Sequence, residues 1–187
     1  MKFIPTPLEG LVRIDPERFE DDRGHFARTF CRSEFEEAGL PPAVEQCSTS
    51  FNERAYTLRG MHWQTPPHGE DKLVRCTSGA VFDVVVDLRR GSATFGSWYG
   101  VELSAENGRQ LFIPKGFAHG FLTLQERSEV AYQMSVAYVP DAGAGLIWDD
   151  VDVGIEWPHA PEVMSAKDRE LPRLTELDET QLEELGA

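Results

Sequence analysis

Residues 108–121, GRQLFIPKGFAHGF, contain the clearest structural signal in this chain. The apolar run 110–113 predicts a short β-strand, and Pro114-Lys115-Gly116 predicts the tight turn that ends it. A second apolar run, residues 120–124, predicts the strand that follows. Two short strands joined by a proline-glycine turn, with no helix between them, indicate antiparallel β-structure.

The same pattern extends outward over residues 44–140. The run 80–88, AVFDVVVDL, predicts a strand whose two aspartates share a face. Further strands are predicted at 98–103 and 129–134, with turn sequences between them. Many short strands with close turns predict a mainly β fold, an antiparallel barrel or sandwich with a few short helices.

The two ends of the chain differ from this central region. Residues 1–43 predict an arm of short strands and one helix, with Ser33 as the N-cap and Gly39 as the stop. Residues 141–187 predict loops, with a terminal helix from residue 175. We expect the three segments to form one domain over residues 1–187, because this length suits a single core.

The composition argues against several classes of function, including nucleic-acid binding and membrane association. The chain has 32 acidic and 18 basic residues, and its formal charge of −14 argues against a nucleic-acid partner. No apolar run approaches the ~20 residues that span a bilayer, and no signal peptide is recognisable, so we expect no membrane association. Three cysteines without a C-x-x-C motif predict reduced thiols and a cytoplasmic location. Cys31 and Cys76 are predicted as small core residues.

Two histidines lie in segments framed by glycine or proline. His62 lies in LRGMHWQ, residues 58–64, and His119 lies near the end of the segment 108–121. The second segment resembles the cupin pattern G-x5-P-x-G-x2-H, whose proline and glycine make the turn into a barrel strand. This resemblance implies a cupin jelly roll, an antiparallel β-barrel of two sheets whose inward side chains line a central cavity.

A metal site is the first possibility to consider, because many cupins bind a metal. Such a site needs two closely spaced histidines, such as His-x-His, together with a glutamate and a later histidine. His62 has no histidine two residues away, and His68 follows six residues later. We therefore predict that no metal is bound.

His62 is interpreted instead as a general base. A neutral imidazole can remove a proton from a carbon next to a ketone if a cation stabilises the resulting enolate. Lys72, ten residues later on the following predicted strand, can supply that cation. Tyr132, on a later strand, can return a proton from the opposite face, and this would invert the carbon.

Several segments together resemble the dTDP-4-dehydrorhamnose 3,5-epimerase family, over almost the whole chain. They follow one another in the order DRGHF (22–26), LRGMHWQ (58–64), KLV (72–74), FDVVVDLR (82–89), IPKGFAHGF (113–121), GIEWP (154–158) and SAKD (165–168). So many matches in the right order are far more specific than one short motif. The resemblance implies an isomerase that inverts carbon 3, carbon 5 or both of a nucleotide-linked 4-keto-6-deoxy sugar in activated-sugar biosynthesis.

The resemblance also implies a homodimer with no cofactor, and it implies roles for individual residues. The catalytic set of base, orienting carboxylate, enolate-binding cation and general acid is His62, Asp168, Lys72 and Tyr132. The implied substrate contacts are Arg23, Phe26, Arg59, His119, Tyr138 and Lys167. The implied nucleotide-side positions are Arg28, Gln46 and Ser48. In this family the Arg23 segment reaches into the site of the neighbouring subunit.

Three nucleotide-side positions depart from the usual family pattern. Arg28 and Gly143 stand where glutamate is usual, and Ser48 stands where asparagine is usual. A carboxylate can accept a hydrogen bond from the thymine N–H, whereas a guanidinium can only donate. We therefore expect that a dTDP sugar is not clearly preferred over GDP- or CDP-linked sugars. A metal-dependent cupin enzyme and a non-catalytic sugar-nucleotide binding module are the alternative functions.

Overall fold

The computed structural model describes residues 1–178 together with Leu182 and Leu185. Thirteen strands lie in these residues and fall into two large antiparallel sheets and one separate hairpin. In chain order they are β1 (Lys2–Pro5), β2 (Val12–Asp15), β3 (Arg18–Asp21), β4 (Gly24–Ala27), β5 (Gln46–Asn52), β6 (Leu58–Gln64), β7 (Lys72–Ser78), β8 (Ala80–Asp87), β9 (Trp98–Ser104), β10 (Gln110–Ile113), β11 (Phe117–Thr123), β12 (Ser128–Met134) and β13 (Gly143–Gly145).

The two large sheets pack face to face. One has six strands in the order β1-β2-β10-β7-β12-β5, and the other has five in the order β13-β6-β11-β8-β9. Among the described strands, β3 and β4 pair with each other and with no third strand. Neighbours in a sheet are distant in the chain, as in β10 beside β7, which is typical of a jelly roll rather than a simple meander. The predicted mainly β jelly roll is confirmed.

The core between the sheets is built from alternate residues of their strands. Val81 and Val85 of β8 pack against Val74 of β7 and Val130 of β12 across the interior. The intervening residues of β8, such as Val84, belong to a second apolar cluster with Leu146 and other residues of the C-terminal segment. Strand β8 is therefore buried on both faces, and this explains its nearly continuous run of valines.

The helix of the N-terminal arm, α1 (Arg32–Glu37), begins earlier than predicted. Its N-cap is Cys31, which makes no side-chain capping bond, so the prediction of Ser33 as N-cap is wrong. The position of the helix is instead set by Phe35, which is 1% exposed and packs against the outer face of the six-stranded sheet. Gly39 follows the helix with a φ of +74°, consistent with the predicted stop.

The cysteines differ in their surroundings. Cys76 is buried in the core between the sheets, as predicted. Cys31 is only half-buried and lies outside the apolar clusters of the described residues, so its prediction as a core residue is wrong. It occupies the helix N-cap, where its carbonyl oxygen accepts a hydrogen bond from the Phe35 amide at 3.0 Å.

The C-terminal segment is irregular, as predicted, but it contains a second short helix, α2 (Ala166–Arg169). Single 3₁₀ turns lie at Pro140–Ala142 and Leu174–Glu176. The predicted terminal helix over 175–187 falls largely on residues 179–181, 183–184 and 186–187, which lie outside the described residues. Leu182 and Leu185 are buried in the apolar cluster on the outer face of the five-stranded sheet. No helix of the described residues is both long and apolar enough to cross a membrane.

Candidate active site

A cavity of about 580 Å³ opens between the two sheets. Its lining includes ten of the residues for which a role was predicted: Gln46, Ser48, Arg59, His62, Lys72, His119, Tyr132, Tyr138, Lys167 and Asp168. They come from both sheets and from the C-terminal segment, so the fold gathers positions that are up to 122 residues apart in sequence.

His62 and Asp168 form a hydrogen-bonded pair at the wall of the cavity. His62 lies on β6, and its Nε2 is 2.8 Å from Oδ1 of Asp168 on α2. The hydroxyl of Ser165 caps α2 by accepting a hydrogen bond from the Asp168 amide at 3.0 Å. Because the carboxylate accepts at Nε2, the neutral imidazole carries its proton there and leaves Nδ1 free to accept another.

The environment of Asp168 favours its ionised form. Burial would raise the pKa of this carboxyl, but the hydrogen bond from His62 opposes that effect. Hydrogen bonds with the Gly60 amide and the Ser165 side chain also lower this pKa. As a result, the pKa of Asp168 lies below its usual value. A carboxylate that stays charged can stabilise an imidazolium once His62 has taken up a proton.

Two glycines allow the strand that carries His62 to lie close against its neighbour. Gly60 has a φ of +105°, and a Cβ there would lie 2.7 Å from the Cα of Gly120. A Cβ on Gly120 would in turn lie 2.7 Å from the carbonyl oxygen of Arg59. Strands β6 and β11 therefore approach closely, and they pair His62 directly with His119.

Lys72 lies at the start of β7, in the sheet opposite His62. Its side chain is 11% exposed, and its Nζ lies 3.1 Å from Oε1 of Glu70. The same ammonium group donates a longer hydrogen bond, 3.5 Å, to the backbone carbonyl of His62. A cation is therefore held inside the cavity beside the strand that carries the imidazole.

Tyr132 lies on β12, in the same sheet as Lys72, and its ring meets that of His119 edge to face, with 6.0 Å between ring centroids. Burial strongly raises the pKa of the Tyr132 phenol, and the negative charge of Asp83 raises it further. The phenol therefore keeps its proton at neutral pH and can act as a donor.

His119 forms a second histidine-aspartate pair, more deeply buried than the first. Its Nε2 is 2.9 Å from Oδ2 of Asp83, and the side chains of the two residues are 5% and 0% exposed. Thus each cavity histidine is tied to one carboxylate. Among the described residues no three His, Cys, Asp or Glu side chains form a group suited to a metal ion.

The predicted substrate contacts at the cavity mouth are partly held by hydrogen bonds within the chain. Arg59 Nε donates to Oδ1 of Asn52 at 2.6 Å. Gln46 donates to the Ser48 hydroxyl at 3.3 Å and accepts from the Tyr138 amide at 3.0 Å. The Tyr138 side chain itself is exposed, and so its ring is free to pack against a ligand.

Arg23, Phe26 and Arg28 do not line this cavity in the single chain. Arg23 pairs with Asp21 inside the β3–β4 hairpin, and Arg28 pairs with Glu34 of α1. Phe26 is 71% exposed, although it is large and apolar. The single chain therefore does not bring these three residues to the cavity.

Some cavity residues were not singled out from the sequence: Ser50, Trp63, Gln64, Glu70, Met134 and Ser165. Strand periodicity could have indicated two of them. Ser50 continues the alternation of Gln46 and Ser48 on β5, and Glu70 precedes Lys72 by two residues. The others gave no signal beyond their proximity to a singled-out residue.

The chain is similar to known proteins over nearly its whole length. Residues 5–176 match the family model described as dTDP-4-dehydrorhamnose 3,5-epimerase. The enzyme of that name from Escherichia coli K12 is 45% identical over 179 residues, which cover 95% of this chain and 96% of the relative. A dTDP-4-dehydrorhamnose 3-epimerase from Streptomyces niveus is 36% identical over 177 residues, covering 94% of this chain and 85% of the relative.

The solved structures agree with this match. The 3,5-epimerase from Legionella pneumophila, crystallised with dTDP-4-keto-L-rhamnose, superposes with a TM-score of 0.90 at 38% identity. That alignment covers 97% of this chain and 96% of the other. A family model that matches nearly the whole chain, relatives at this identity and a shared fold lead to one conclusion. The chain belongs to the dTDP-4-dehydrorhamnose 3,5-epimerase family.

Proposed function

We propose that this enzyme inverts carbon 3, carbon 5 or both of a nucleotide-linked 4-keto-6-deoxy sugar, without metal or nicotinamide, in the biosynthesis of activated sugars. The observation that carries the proposal is the His62–Asp168 pair at the wall of a cavity that also contains Lys72 and Tyr132. A base, a cation and a proton donor are the groups that enolisation and reprotonation require.

In the first step, Nδ1 of His62 takes the proton from the carbon next to the ketone. The electron pair of the broken C–H bond moves into the carbonyl, and the ketone oxygen becomes an enolate oxygen. Asp168, 2.8 Å from Nε2, stabilises the positive charge that develops on the imidazole.

Lys72 stabilises the enolate oxygen. A charge-assisted hydrogen bond from the ammonium group is stronger to the enolate than to the neutral ketone, so it lowers the barrier to proton removal. The side chain is only 11% exposed, and its interaction with the oxygen is therefore weakly screened by water.

Tyr132 completes the inversion by giving its phenolic proton to the carbon from the opposite face as the enolate electrons return to that carbon and the ketone re-forms. Tyr132 then regains a proton from water, and His62 releases its proton to water, which restores the enzyme. Its sheet faces the one that carries His62, so a sugar ring between the sheets has a base on one side and an acid on the other. The burial that raises the pKa of Tyr132 keeps the proton in place until the enolate has formed.

The remaining cavity residues bind the substrate. Arg59, His119 and Lys167 supply donors for the sugar and the diphosphate. Gln46, Ser48 and Tyr138 lie on the nucleotide side, where the exposed Tyr138 ring can pack against the base.

We also propose a homodimer, in which Arg23 and Phe26 of one chain reach the cavity of the other. The hairpin that carries them pairs with neither large sheet, and it exposes Phe19 and Phe26, 69% and 71%. On the outer face of the six-stranded sheet, side-chain amide atoms of Gln110 and Gln133 are buried without a hydrogen-bond partner. Both features suit a surface that a second chain covers. Light scattering that gives the mass of one chain at all concentrations would refute the dimer.

The free thiols of all three cysteines are consistent with the cytoplasmic location that the sequence predicts.

The proposed reaction is tested by transfer of solvent deuterium. With a dTDP-linked 4-keto-6-deoxy sugar in heavy water, we expect deuterium next to the ketone, detected by NMR, with no added metal or nicotinamide. His62→Ala should abolish exchange but still bind dTDP, and this separates an enzyme from a binding module. If the wild-type enzyme exchanges no proton with any of a panel of 4-keto sugar nucleotides, the proposal fails.

A further inference from the structure

Glu70 is a buried carboxylate in the cavity that the mechanism above leaves without a role. It lies two residues before Lys72, is 8% exposed and lines the cavity. We propose that Glu70 is a positioning residue that holds the ammonium group of Lys72 where the enolate oxygen forms. The inference rests on the role of Lys72 in the proposed function.

A lysine needs such support because its side chain is long and flexible. Fixing its four rotatable bonds has a large entropic cost, and rate enhancement by a charged group depends on its placement. Glu70 Oε1 is 3.1 Å from the Lys72 ammonium nitrogen, and the His62 carbonyl is 3.5 Å from it. Since the second acceptor belongs to the base itself, the two contacts fix the cation relative to the imidazole.

Glu70 is itself held by the strand that carries the base. Its Oε2 accepts a hydrogen bond of 3.2 Å from Nε2 of Gln64, which lies two residues after His62 on β6. Gln64 is 3% exposed, and its Oε1 accepts from the Val139 amide at 2.6 Å. Its Nε2 also donates to the His68 carbonyl at 3.2 Å. The amide is therefore fixed at both ends and gives Glu70 a rigid support.

Before the substrate binds, the Glu70 carboxylate also stabilises the charge on the buried Lys72 ammonium group. An isolated charge in a partly dry cavity carries a desolvation cost that a close partner offsets. The same negative charge weakens the attraction of Lys72 for the enolate. By holding Lys72 in place Glu70 should raise kcat, whereas by its negative charge it should lower kcat. Substitutions at Glu70 can separate these two effects.

Three variants make this separation. Glu70→Ala removes both the acceptor and the charge, and Glu70→Asp keeps the charge on a side chain too short to reach Nζ. Glu70→Gln removes the charge and keeps one oxygen that can accept from Nζ, although its NH2 group then faces Nε2 of Gln64 and loses that hydrogen bond. For deuterium exchange with the dTDP-linked 4-keto sugar, we expect kcat to fall about tenfold or more in the Ala and Asp variants, with KM within about threefold. Glu70→Gln should lose less kcat than Glu70→Ala, because it keeps one acceptor for Nζ.

A double-mutant cycle tests whether Glu70 acts through Lys72. In a Lys72→Ala background, Glu70→Ala should change kcat by less than about twofold, because the group that it positions is gone. Asp150→Asn is the matched control, since Asp150 is also a buried carboxylate but binds the backbone amides of Asp152, Val153 and Leu174 away from the cavity. It should lower the melting temperature and leave kcat unchanged.

The inference is overturned if kcat of Glu70→Ala and Glu70→Asp stays within about twofold of wild type, if the loss is confined to KM, or if the full loss persists without Lys72. Calorimetric binding of dTDP and thermal unfolding verify that each variant is folded. A Glu70→Ala protein that does not fold leaves Glu70→Asp as the deciding variant. A wild-type enzyme without exchange would contradict the proposed function instead, so the two failures are distinguishable.

Discussion

Replacing Asp168 by asparagine tests the histidine-aspartate pair with almost no change of volume. The wild-type carboxylate lies 2.8 Å from Nε2 of His62, and in the proposed reaction it stabilises the imidazolium that forms as the proton is removed. An asparagine side chain can turn its NH2 group toward the ring and donate a hydrogen bond to Nε2. This favours the tautomer in which the ring proton lies on Nδ1. The base would then have its free nitrogen at the wrong position.

The geometry sets the size of the expected effect. A hydrogen bond to a charged group contributes roughly 1.5–3 kcal/mol, and each 1.4 kcal/mol is a factor of ten, so kcat should fall by about 10- to 150-fold. The loss should stay below the ~10⁴-fold of deeply buried triads, because the His62 side chain is 44% exposed and water can replace part of the contact.

The assay is the initial rate of deuterium uptake, measured by NMR over a range of substrate concentrations. Asp83→Asn provides the matched comparison, since Asp83 holds His119 at 2.9 Å in the same way. Because His119 binds the substrate in the proposed mechanism, that variant should raise KM more than it lowers kcat. An Asp168→Asn enzyme that is folded and retains kcat within about twofold of wild type would show that the carboxylate does not orient the base.

Further predictions concern the acid, the fold and the nucleotide. Tyr132→Phe should slow inversion by about 10²-fold or more while exchange is less affected, since His62 can still remove and return a proton on its own face; equal losses in both would contradict the assignment. Asp87→Asn should cost about 2–4 kcal/mol of unfolding free energy at pH 7, because Asp87 is fully buried and accepts hydrogen bonds from Arg89, Ser92 and Thr94. Burial alone would raise the pKa of Asp87, but these bonds hold it below its usual value, so its stabilising effect is complete above pH ~4 and is lost as the pH falls through the lowered pKa. Chemical denaturation from pH 7 to pH 2 should show the two proteins converging in acid, and a constant difference would contradict this. Calorimetry with dTDP, UDP, CDP and GDP should show a preference for dTDP of less than about tenfold, or 1.4 kcal/mol; a larger preference would show that Arg28, Ser48 and Gly143 have not altered base recognition.

The sequence predicted the strands well because their signals are local. Strand β10 occupies residues 110–113 as predicted, and β8 ends at Asp87, one residue before the predicted end. Side-chain alternation, β-branched residues and glycine turns each act over a few positions and are visible in the sequence. The start of α1 was harder, because the burial of Phe35 against distant strands outweighed the capping preference of Ser33.

The arrangement of the site residues was harder to predict from the sequence than the strands were. Nothing local indicates that Asp168 meets His62 across 106 residues, and only the resemblance of whole segments suggested the pair. No role was predicted for Glu70, because a glutamate before a lysine is common on protein surfaces, and only the structure shows that both side chains are buried. The roles proposed for Arg23 and Phe26 involve contacts between two chains, which neither the sequence nor one chain's geometry describes.

The division of the site between two facing sheets has a stereochemical consequence. Side chains on one face of a single sheet all approach a bound ring from the same side, so they could exchange its protons but would restore the original configuration. With His62 on one sheet and Tyr132 on the other, the proposed base and acid reach a bound ring from opposite sides, so a proton removed on one side can be replaced on the other. Val74 and Val85 belong to the apolar cluster packed between the sheets, so a change of volume there would alter the distance between the two groups. The stereochemical outcome of the proposed reaction would thus depend partly on core residues that do not line the cavity.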